Sequence, residues 1–193
     1  MDAVRRPPFS CWAQLKPAPV KPWDLCPEPW RWTELDMMAS DVEVWEFLKA
    51  LVVLLKPKVV VETGTYMGDS AAIMAMGCRE NGIGHVWTFD PEEELAARAN
   101  KFWEIEEISE WVTGVCADSR TAAWDKPIDL LFIDGGDDRI GELDHFSPFL
   151  TPRSIVVMHN AHDERNVYGW DTLKDWNKVM IPCPCGLFVM TKK

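Results

Sequence analysis

The chain has 193 residues, of which 47% are hydrophobic, and its formal net charge is −11. This length suits one domain with a substantial core. The acidic balance argues against nucleic acid as the main partner, because nucleic-acid binders carry a basic surface. The longest apolar runs, such as 51–55, fall far short of the ~20 residues that span a bilayer, so no membrane partner is expected.

The N-terminus and the cysteines bear on localisation. Arg5 and Arg6 are followed by two prolines and not by an apolar run, so no secretory signal is expected. Six cysteines are scattered at positions 11, 26, 78, 116, 183 and 185 without zinc-finger spacing. The pair Cys183-Pro-Cys185 could bind a metal, but free thiols in a C-terminal hairpin are the preferred interpretation. We expect a cytoplasmic protein.

Residues 1–39 differ from the rest and are interpreted as an N-terminal arm ahead of a domain at 40–193. Seven prolines and four tryptophans fall in the first 32 positions. Proline at this density prevents long regular structure, whereas the tryptophans provide apolar surface that favours burial. The arm is expected to wrap around its own domain. The alternative is a lid, or a contact in a homodimer, close to the active site.

Hydrophobic periodicity predicts helices and strands in alternation from residue 40 onward. The first helix is expected to begin at a capping box formed by Ser40 and Glu43 and to end before Pro57. In chain order, the remaining predicted elements are a strand at 58–62, a helix at 69–79, a strand at 85–90, a helix at 91–105, strands at 111–117 and 128–134, a helix at 139–150, a strand at 154–158, a helix at 170–178, and strands at 179–181 and 187–191.

This alternation predicts an α/β fold: a Rossmann-like, doubly wound sheet of seven strands with a C-terminal antiparallel hairpin and helices on both faces. Ligands of such sheets bind beyond the carboxyl ends of the strands. Carboxylates are unfavourable in a hydrophobic core, yet four of the five residues that end predicted strands are acids. Their repetition at strand ends indicates a binding site. These residues are Glu62, Asp90, Asp118, Asp134 and His159.

The stretch 58–68 indicates the kind of ligand. It reads as a strand, a turn with Gly64 and Gly68, and then a helix, so that bare backbone approaches a ligand. The register lacks the glycine pattern of dinucleotide folds, and no P-loop is present. The carboxylate of Glu62 would repel a pyrophosphate but suits an ammonium group, which favours S-adenosylmethionine (SAM). Asp90, 26 residues beyond Gly64, could accept hydrogen bonds from both ribose hydroxyls.

Five segments in order resemble the motifs of class I SAM-dependent methyltransferases, in particular the small-molecule O-methyltransferase branch. Residues 60–70, Val-Val-Glu-Thr-Gly-Thr-Tyr-Met-Gly-Asp-Ser, resemble the first motif, and Thr88-Phe-Asp90 resembles the ribose-binding acid. The other three segments are 114–119, 128–135 and 186–192. The resemblance covers about residues 42–193.

The resemblance implies methyl transfer from SAM to a hydroxyl group, or less readily to an amine, of a small molecule. It also implies a role for each site residue. Glu62 would act on SAM through its charge and through water, and the methionine part of SAM would be lined by Gly64, Thr65, Tyr66 and Gly68, with Ser70 binding its carboxylate. Asp90 would bind the ribose, and the adenine would be framed by Asp118 and Ser119, with Asp118 accepting a hydrogen bond from its amino group. Asp134 would lie near the methionine ammonium and the acceptor.

The chain departs from the family where the acceptor would bind. Metal-dependent members carry an acid after the fourth strand and Asp-Asn after the fifth, whereas this chain has Asp134, His159 and Asn160. These three could hold a divalent metal, but a metal requirement is not favoured. The metal-dependent members also carry a lysine three residues after the acid of the fourth strand, to deprotonate the acceptor hydroxyl, and this chain has Asp137 at that position. His159 is therefore the leading candidate for general base, with Asp134 taking or orienting the proton and His162 second.

The acceptor is expected over the loops at 135–141 and 159–170, where Tyr168 and Trp170 could stack on a ring. The acidic composition suits a neutral or cationic small molecule. Two alternatives remain open: a non-catalytic protein on a SAM-binding fold, and another transferase on that fold, such as an aminopropyl transferase.

Overall fold

The computed structural model of the protein describes residues 15–18, 22–136, 138–161 and 173–193. Its strands within these ranges are β1 (Lys16–Pro17), β2 (Thr33–Glu34), β3 (Val59–Thr63), β4 (His85–Asp90), β5 (Val112–Cys116), β6 (Ile128–Ile133), β7 (Leu150–His159), β8 (Trp176–Ile181) and β9 (Leu187–Lys192). Its helices there are α1 (Val42–Leu55), α2 (Asp69–Asn81), α3 (Glu93–Ile105) and α4 (Arg139–Phe146), together with 3₁₀ turns at Pro29–Arg31 and Ser147–Phe149.

Seven strands form one sheet in the order β5-β4-β3-β6-β7-β9-β8. The first five are parallel, and β9 runs antiparallel to both β7 and β8. The prediction of a doubly wound sheet with a C-terminal antiparallel hairpin is confirmed. From β3 the chain winds outward through β4 to β5 and then returns to β6 on the other side. The crevice at this switch point, between β3 and β6, lies where such folds bind ligands.

Alternating side chains of the sheet fill two cores, one on each face. Val60, Leu130 and Val157 face the core that also contains Trp45 of α1 and Trp103 of α3. The next residue on each of the first two strands, Val61 and Leu131, belongs to the opposite core, which includes Leu143 and Phe146 of α4. The sheet is therefore covered by α1, α2 and α3 on one face and by α4 on the other.

Strand β6 is anchored to β3 by a side chain as well as by the strand ladder. The carboxylate oxygen Oδ2 of Asp129 accepts hydrogen bonds from the backbone N–H groups of Lys58 and Val59, at 2.8 and 3.0 Å. This contact ties the start of β3 to the start of β6, beside which it lies in the sheet.

The described part of the arm packs on the domain. Leu15, Trp32 and Leu35 contact the core under α1, and Cys26 is buried. Trp12 lies outside the described residues. None of the helices in the described ranges is both long enough and apolar enough to cross a membrane.

Two local predictions are wrong. The capping box at the start of α1 does not form, because Ser40 Oγ accepts a hydrogen bond from the Trp45 indole and the Glu43 carboxylate is bound by Thr33. The predicted helix at 170–178 is instead a strand from Trp176, since six residue pairs join β8 to β9. The part of that prediction at 170–172 lies outside the described residues.

Candidate functional site

A cavity of about 670 Å³ opens at the carboxyl ends of β3 to β7. Its volume lies within the range of small-molecule sites. Most of the side chains predicted for the site line it, whereas Glu62 and His159 lie beneath its wall. The predicted residues that line the cavity are Gly64, Thr65, Tyr66, Gly68, Ser70, Asp90, Asp118, Ser119, Asp134 and Asn160.

The loop between β3 and α2 forms one wall and requires its two glycines. Gly64 and Gly68 have φ angles of +82° and +84°, in the left-handed region. A Cβ atom on Gly64 would lie 2.5 Å from the backbone oxygen of Asp134. On Gly68 it would lie 2.8 Å from the Trp103 indole nitrogen, which donates a hydrogen bond to the Gly68 carbonyl. The loop backbone is thus pressed against its neighbours and faces the cavity.

Asp90 is held rigidly at the end of β4. Its Oδ2 accepts a hydrogen bond from the Tyr66 N–H at 3.0 Å, and its Oδ1 accepts one from the Glu92 N–H at 2.9 Å. The residue is buried, yet it lines the cavity. Since each carboxylate oxygen has a further lone pair, Asp90 can still accept two hydrogen bonds from a ligand.

Glu62 is fully buried below this wall, as the second-to-last residue of β3. Burial raises the pKa of its carboxyl from 4.5 to about 8, although the hydroxyls of Ser70 and Thr88 counteract part of that rise. The Ser70 hydroxyl donates to Glu62 Oε1. The charge expected of Glu62 is therefore mostly absent at neutral pH, and the Ser70 hydroxyl is turned toward Glu62.

The arm closes the cavity on the side of α2. Tyr66 donates its hydroxyl to Asp36 Oδ2 at 3.1 Å, and Asp36 Oδ1 accepts the N–H groups of Met38 and Ala39. Residues 37–40 line the cavity as a result. Burial, followed by the charge of Asp36, raises the pKa of Asp69 at the start of α2 to about 6.

The loop after β5 forms the part of the cavity where the adenine was expected to bind, and its polar side chains already have partners. The Asp118 carboxylate is bound by Arg120 through two hydrogen bonds, of 2.7 and 3.0 Å. These bonds lower the pKa of Asp118 to about 2. The Ser119 hydroxyl donates to the buried Glu142 at 2.7 Å, and Thr63 donates to the other Glu142 oxygen at 2.8 Å. The polar side chains expected to meet a ligand here are already paired within the protein.

His159 lies between two carboxylates and is almost completely buried. Its Nδ1 is 3.0 Å from Asp134 Oδ1, and its Nε2 is 3.8 Å from Asp41 Oδ2. Burial alone would lower the pKa of the imidazole, but Asp134 and Asp41 outweigh it and raise the pKa to about 9. A histidine whose pKa is raised and whose side chain does not line the cavity is less suited to act as a general base, and the base role of His159 stays a prediction from the sequence. His162, Tyr168, Trp170 and Asp137 lie outside the described residues.

Arg139, which the sequence reasoning missed, occupies the place between Asp134 and Asn160. Its Nη2 donates to Asn160 Oδ1 at 2.9 Å and lies 3.6 Å from Asp134 Oδ1, while Nη1 donates to the Gly136 carbonyl at 2.8 Å. The residue is buried at the first position of α4. A cation at a helix N-terminus is unfavourable with respect to the helix dipole, so its position alone could have signalled a local anionic partner.

The chain matches a family model described as a methyltransferase domain over residues 61–161, just over half of its length. This range contains the cavity loops after β3, β4, β5 and β6. Among curated protein sequences, none is similar enough to the chain to count as a relative.

Several solved structures share the fold. One is the methyltransferase PaMTH1 of Podospora anserina bound to S-adenosylhomocysteine (SAH), with a TM-score of 0.71, 16% identity, and coverage of 82% of this chain and 81% of that one. Another is an O-methyltransferase of Bacillus cereus in complex with SAH, with a TM-score of 0.68, 16% identity, and coverage of 82% and 84%. A third is the O-methyltransferase TomG of Streptomyces achromogenes, involved in tomaymycin synthesis and complexed with SAM, with a TM-score of 0.66, 17% identity, and coverage of 81% and 82%.

Proposed function

The chain belongs to the methyltransferase domain family, and on that basis we propose that it is a SAM-dependent enzyme that methylates a hydroxyl group of a small molecule. The observation that carries this proposal is the cavity at the carboxyl edge of the sheet, where the glycine loop after β3 faces Asp90 at the end of β4. Structures of the same fold that hold SAM or SAH support the choice of cofactor.

The methionine part of SAM would lie against the loop after β3. Gly64, Thr65, Tyr66 and Gly68 would present backbone to it, because side chains at the two glycines would collide with the protein. Helix α2 begins without a side-chain cap, so its first N–H groups are suited to the cofactor carboxylate. Ser70 would contribute through this backbone, since its hydroxyl is donated to Glu62.

The remaining contacts follow from the charges around the cavity. Asp90 would bind the ribose hydroxyls with the lone pairs that its two backbone hydrogen bonds leave free. Asp118 and Ser119 would frame the adenine, with Arg120 moving together with Asp118. Glu62 would become ionised when a cationic ligand binds above it, since a nearby positive charge favours the carboxylate.

Asp134 is the side chain best placed to orient the acceptor. Its Oδ1 is held by His159 Nδ1, and its carboxylate lines the cavity next to Arg139. SAM would supply a methyl group on a positively charged sulfur. The acceptor hydroxyl oxygen would bond to that methyl carbon in line as the carbon–sulfur bond breaks and SAH leaves, and the hydroxyl proton would pass to the Asp134 carboxylate. The protein would act mainly by positioning the acceptor and excluding water. We assign His159 the role of fixing Asp134, and not that of a base.

The side chains at the ends of β6 and β7 do not fit a divalent metal between Asp134, His159 and Asn160. His159 directs one ring nitrogen to Asp134 and the other toward Asp41. The Asn160 oxygen accepts a hydrogen bond from Arg139, whose guanidinium places a positive charge between the amide and Asp134. We therefore propose methyl transfer without a metal at this position.

The arm would serve as part of the acceptor wall. Met37 and Met38 line the cavity and are 82% and 73% exposed, so they offer apolar surface at its mouth. Asp69 and Asp134 contribute negative charge nearby. This combination suits a neutral or cationic acceptor with an apolar ring.

The test is calorimetric titration of SAM and SAH into the wild type, Asp90→Ala, and the control Asp144→Ala, which removes an exposed acid on α4. We expect micromolar binding to the wild type and the control. Loss of two hydrogen bonds to a charged group predicts binding roughly 100-fold or more weaker in Asp90→Ala. Absence of binding to the folded wild type would refute the proposal. Binding without SAH production over a panel of phenols and alcohols would favour the non-catalytic alternative.

A further inference from the structure

Three side chains with metal-binding atoms meet in the protein interior, behind the cavity wall. Asp41 lies just before α1, His159 ends β7, and Cys183 lies in the loop between β8 and β9. They are 4%, 3% and 3% exposed. One ligand atom from each lies within 4.8 Å of the other two. We call this group the buried triad.

Two atoms of the buried triad face each other without a hydrogen bond. His159 Nε2 and Asp41 Oδ2 are 3.8 Å apart, which is too long for a hydrogen bond. Both are buried, and within the described ranges neither has a hydrogen-bond partner. Leaving a buried polar atom without a hydrogen bond costs roughly 1–3 kcal/mol. A protonated imidazole would offset part of this cost through its ion pair with Asp41, whereas a cation placed between the two atoms would bind both directly.

The other contacts of His159 match those of a metal ligand. A histidine that binds a metal through one ring nitrogen commonly donates its second N–H to a carboxylate, which fixes the ring. Here Nδ1 lies 3.0 Å from Asp134 Oδ1, which leaves Nε2 for the interior. The backbone of Cys183 is also held in place. The Cys183 N–H donates a hydrogen bond to the Ile181 carbonyl at 3.0 Å, and the Cys183 carbonyl accepts one from the Gly186 N–H at 2.9 Å.

We propose that Asp41 Oδ2, His159 Nε2 and Cys183 Sγ bind one zinc ion, with a water molecule as the fourth ligand. Thiolate, imidazole and carboxylate are ligands that zinc accepts in tetrahedral sites. Tetrahedral bonds to zinc place ligand atoms about 3.5 Å apart. The His159 and Asp41 atoms are already 3.8 Å apart, and the Cys183 sulfur, within 4.8 Å of both, would have to approach them. Binding releases the thiol proton and any proton on the imidazole. The carboxylate and thiolate then balance the charge of the ion in the buried site.

This site lies behind the cavity wall, on the ring nitrogen of His159 that does not face Asp134. The ion would join the start of α1, β7 and the β8–β9 loop, three segments that are distant in the sequence. Asp41 follows Ser40, which lines the cavity, so the ion would stabilise the arm side of the cavity wall without touching a ligand.

The test begins with folded wild-type protein from which metal has been removed by chelator and dialysis. Cobalt(II) is titrated in first, because a thiolate ligand gives cobalt a strong near-ultraviolet charge-transfer absorption, and zinc is then used to displace it. We expect one equivalent of cobalt with that absorption and full displacement by zinc. Uptake well below one equivalent, or uptake without the thiolate band, would overturn the proposal.

Matched variants identify the ligands. Cys183→Ser should lose the thiolate band and bind zinc ~100-fold or more weakly, since even the loss of a supporting contact costs 10–100-fold. Cys185→Ser, which removes the thiol two residues away, should keep both. Asp41→Asn supplies a second variant if Cys183→Ser fails to fold, as judged by circular dichroism, and should weaken zinc binding while retaining the band. Loss of binding in Cys185→Ser, or retention in folded Cys183→Ser, would refute the assigned set.

Discussion

Replacing Glu62 with glutamine removes one buried ionisable group with little change of shape. The pKa of Glu62 is about 8 in the folded protein and 4.5 as the ordinary value expected in the unfolded chain. Between these pH values the unfolded chain releases a proton that the folded protein keeps. The free energy of unfolding therefore falls as pH rises, by about 1.4 kcal/mol per pH unit and by about 5 kcal/mol over the whole interval.

Glutamine remains neutral at every pH and can still accept the hydrogen bond from Ser70, so Glu62→Gln should lack this loss of stability. The measurement is urea unfolding followed by tryptophan fluorescence at pH 5, 6, 7 and 8. We expect the variant to gain stability relative to the wild type by about 1.4 kcal/mol for each pH unit. Glu46→Gln, an exposed change on α1, is the control and should follow the wild type.

Other buried groups do not obscure the comparison. Asp69 and His159 also have raised pKa values, about 6 and about 9. The stability that His159 contributes is fully present below pH 6.5 and is lost as pH rises through 9, so it acts in the same direction as Glu62. These groups are common to both proteins and cancel in the difference. A difference between Glu62→Gln and wild type that stays constant from pH 5 to 8 would show that Glu62 is ionised in the folded protein and would refute the reasoning.

Three further outcomes follow from the contacts of the site. Gly64→Ala should destabilise the protein by roughly 2 kcal/mol or more, since it adds a collision to an unfavourable φ. Gly82→Ala, at φ +64° with open space around it, should cost about 1 kcal/mol. Thermal unfolding compares the two variants, and equal costs would contradict the collision at Gly64. Asp129→Ala should lower the free energy of unfolding by roughly 1–3 kcal/mol, because it removes two hydrogen bonds from backbone N–H groups to a carboxylate. Urea unfolding measures this cost, with the exposed Asp125→Ala as control, and equal costs would refute the anchoring role. SAM binding at pH 7 should release protons from Glu62, and calorimetry in buffers of different ionisation enthalpy would detect this; a binding heat that does not depend on the buffer would argue against it.

The chain's local patterns determined most of the fold. Apolar runs such as 128–133 and the helical periodicities between them predicted the order of strands and helices, because each depends on residues close in sequence. The positions of Gly64, Gly68 and Asp90 in the site were likewise predictable. They follow from the rule that parallel strands end at one edge of a sheet.

Tertiary contacts decided the elements whose local signals were ambiguous. Residues 176–178 form a strand because β9 offers a full set of hydrogen-bond partners, and β9 lies further along the chain. The capping box failed for a similar reason. The side chains of Ser40 and Glu43 found partners in Trp45 and Thr33, and one of these lies before the helix.

The chemistry of the site depended most strongly on the tertiary structure. Residue types suggested that Glu62 is charged and that His159 is a neutral base, whereas burial raises the pKa of Glu62 to about 8 and neighbouring carboxylates raise that of His159 to about 9. Asp41, His159 and Cys183 show no shared spacing in the sequence and meet only because the start of α1, the end of β7 and the β8–β9 loop converge. Protonation and metal affinity depend on which groups lie within a few ångströms and how far water is excluded. The separation of two residues along the sequence reveals neither which groups are neighbours nor how far water is excluded from them.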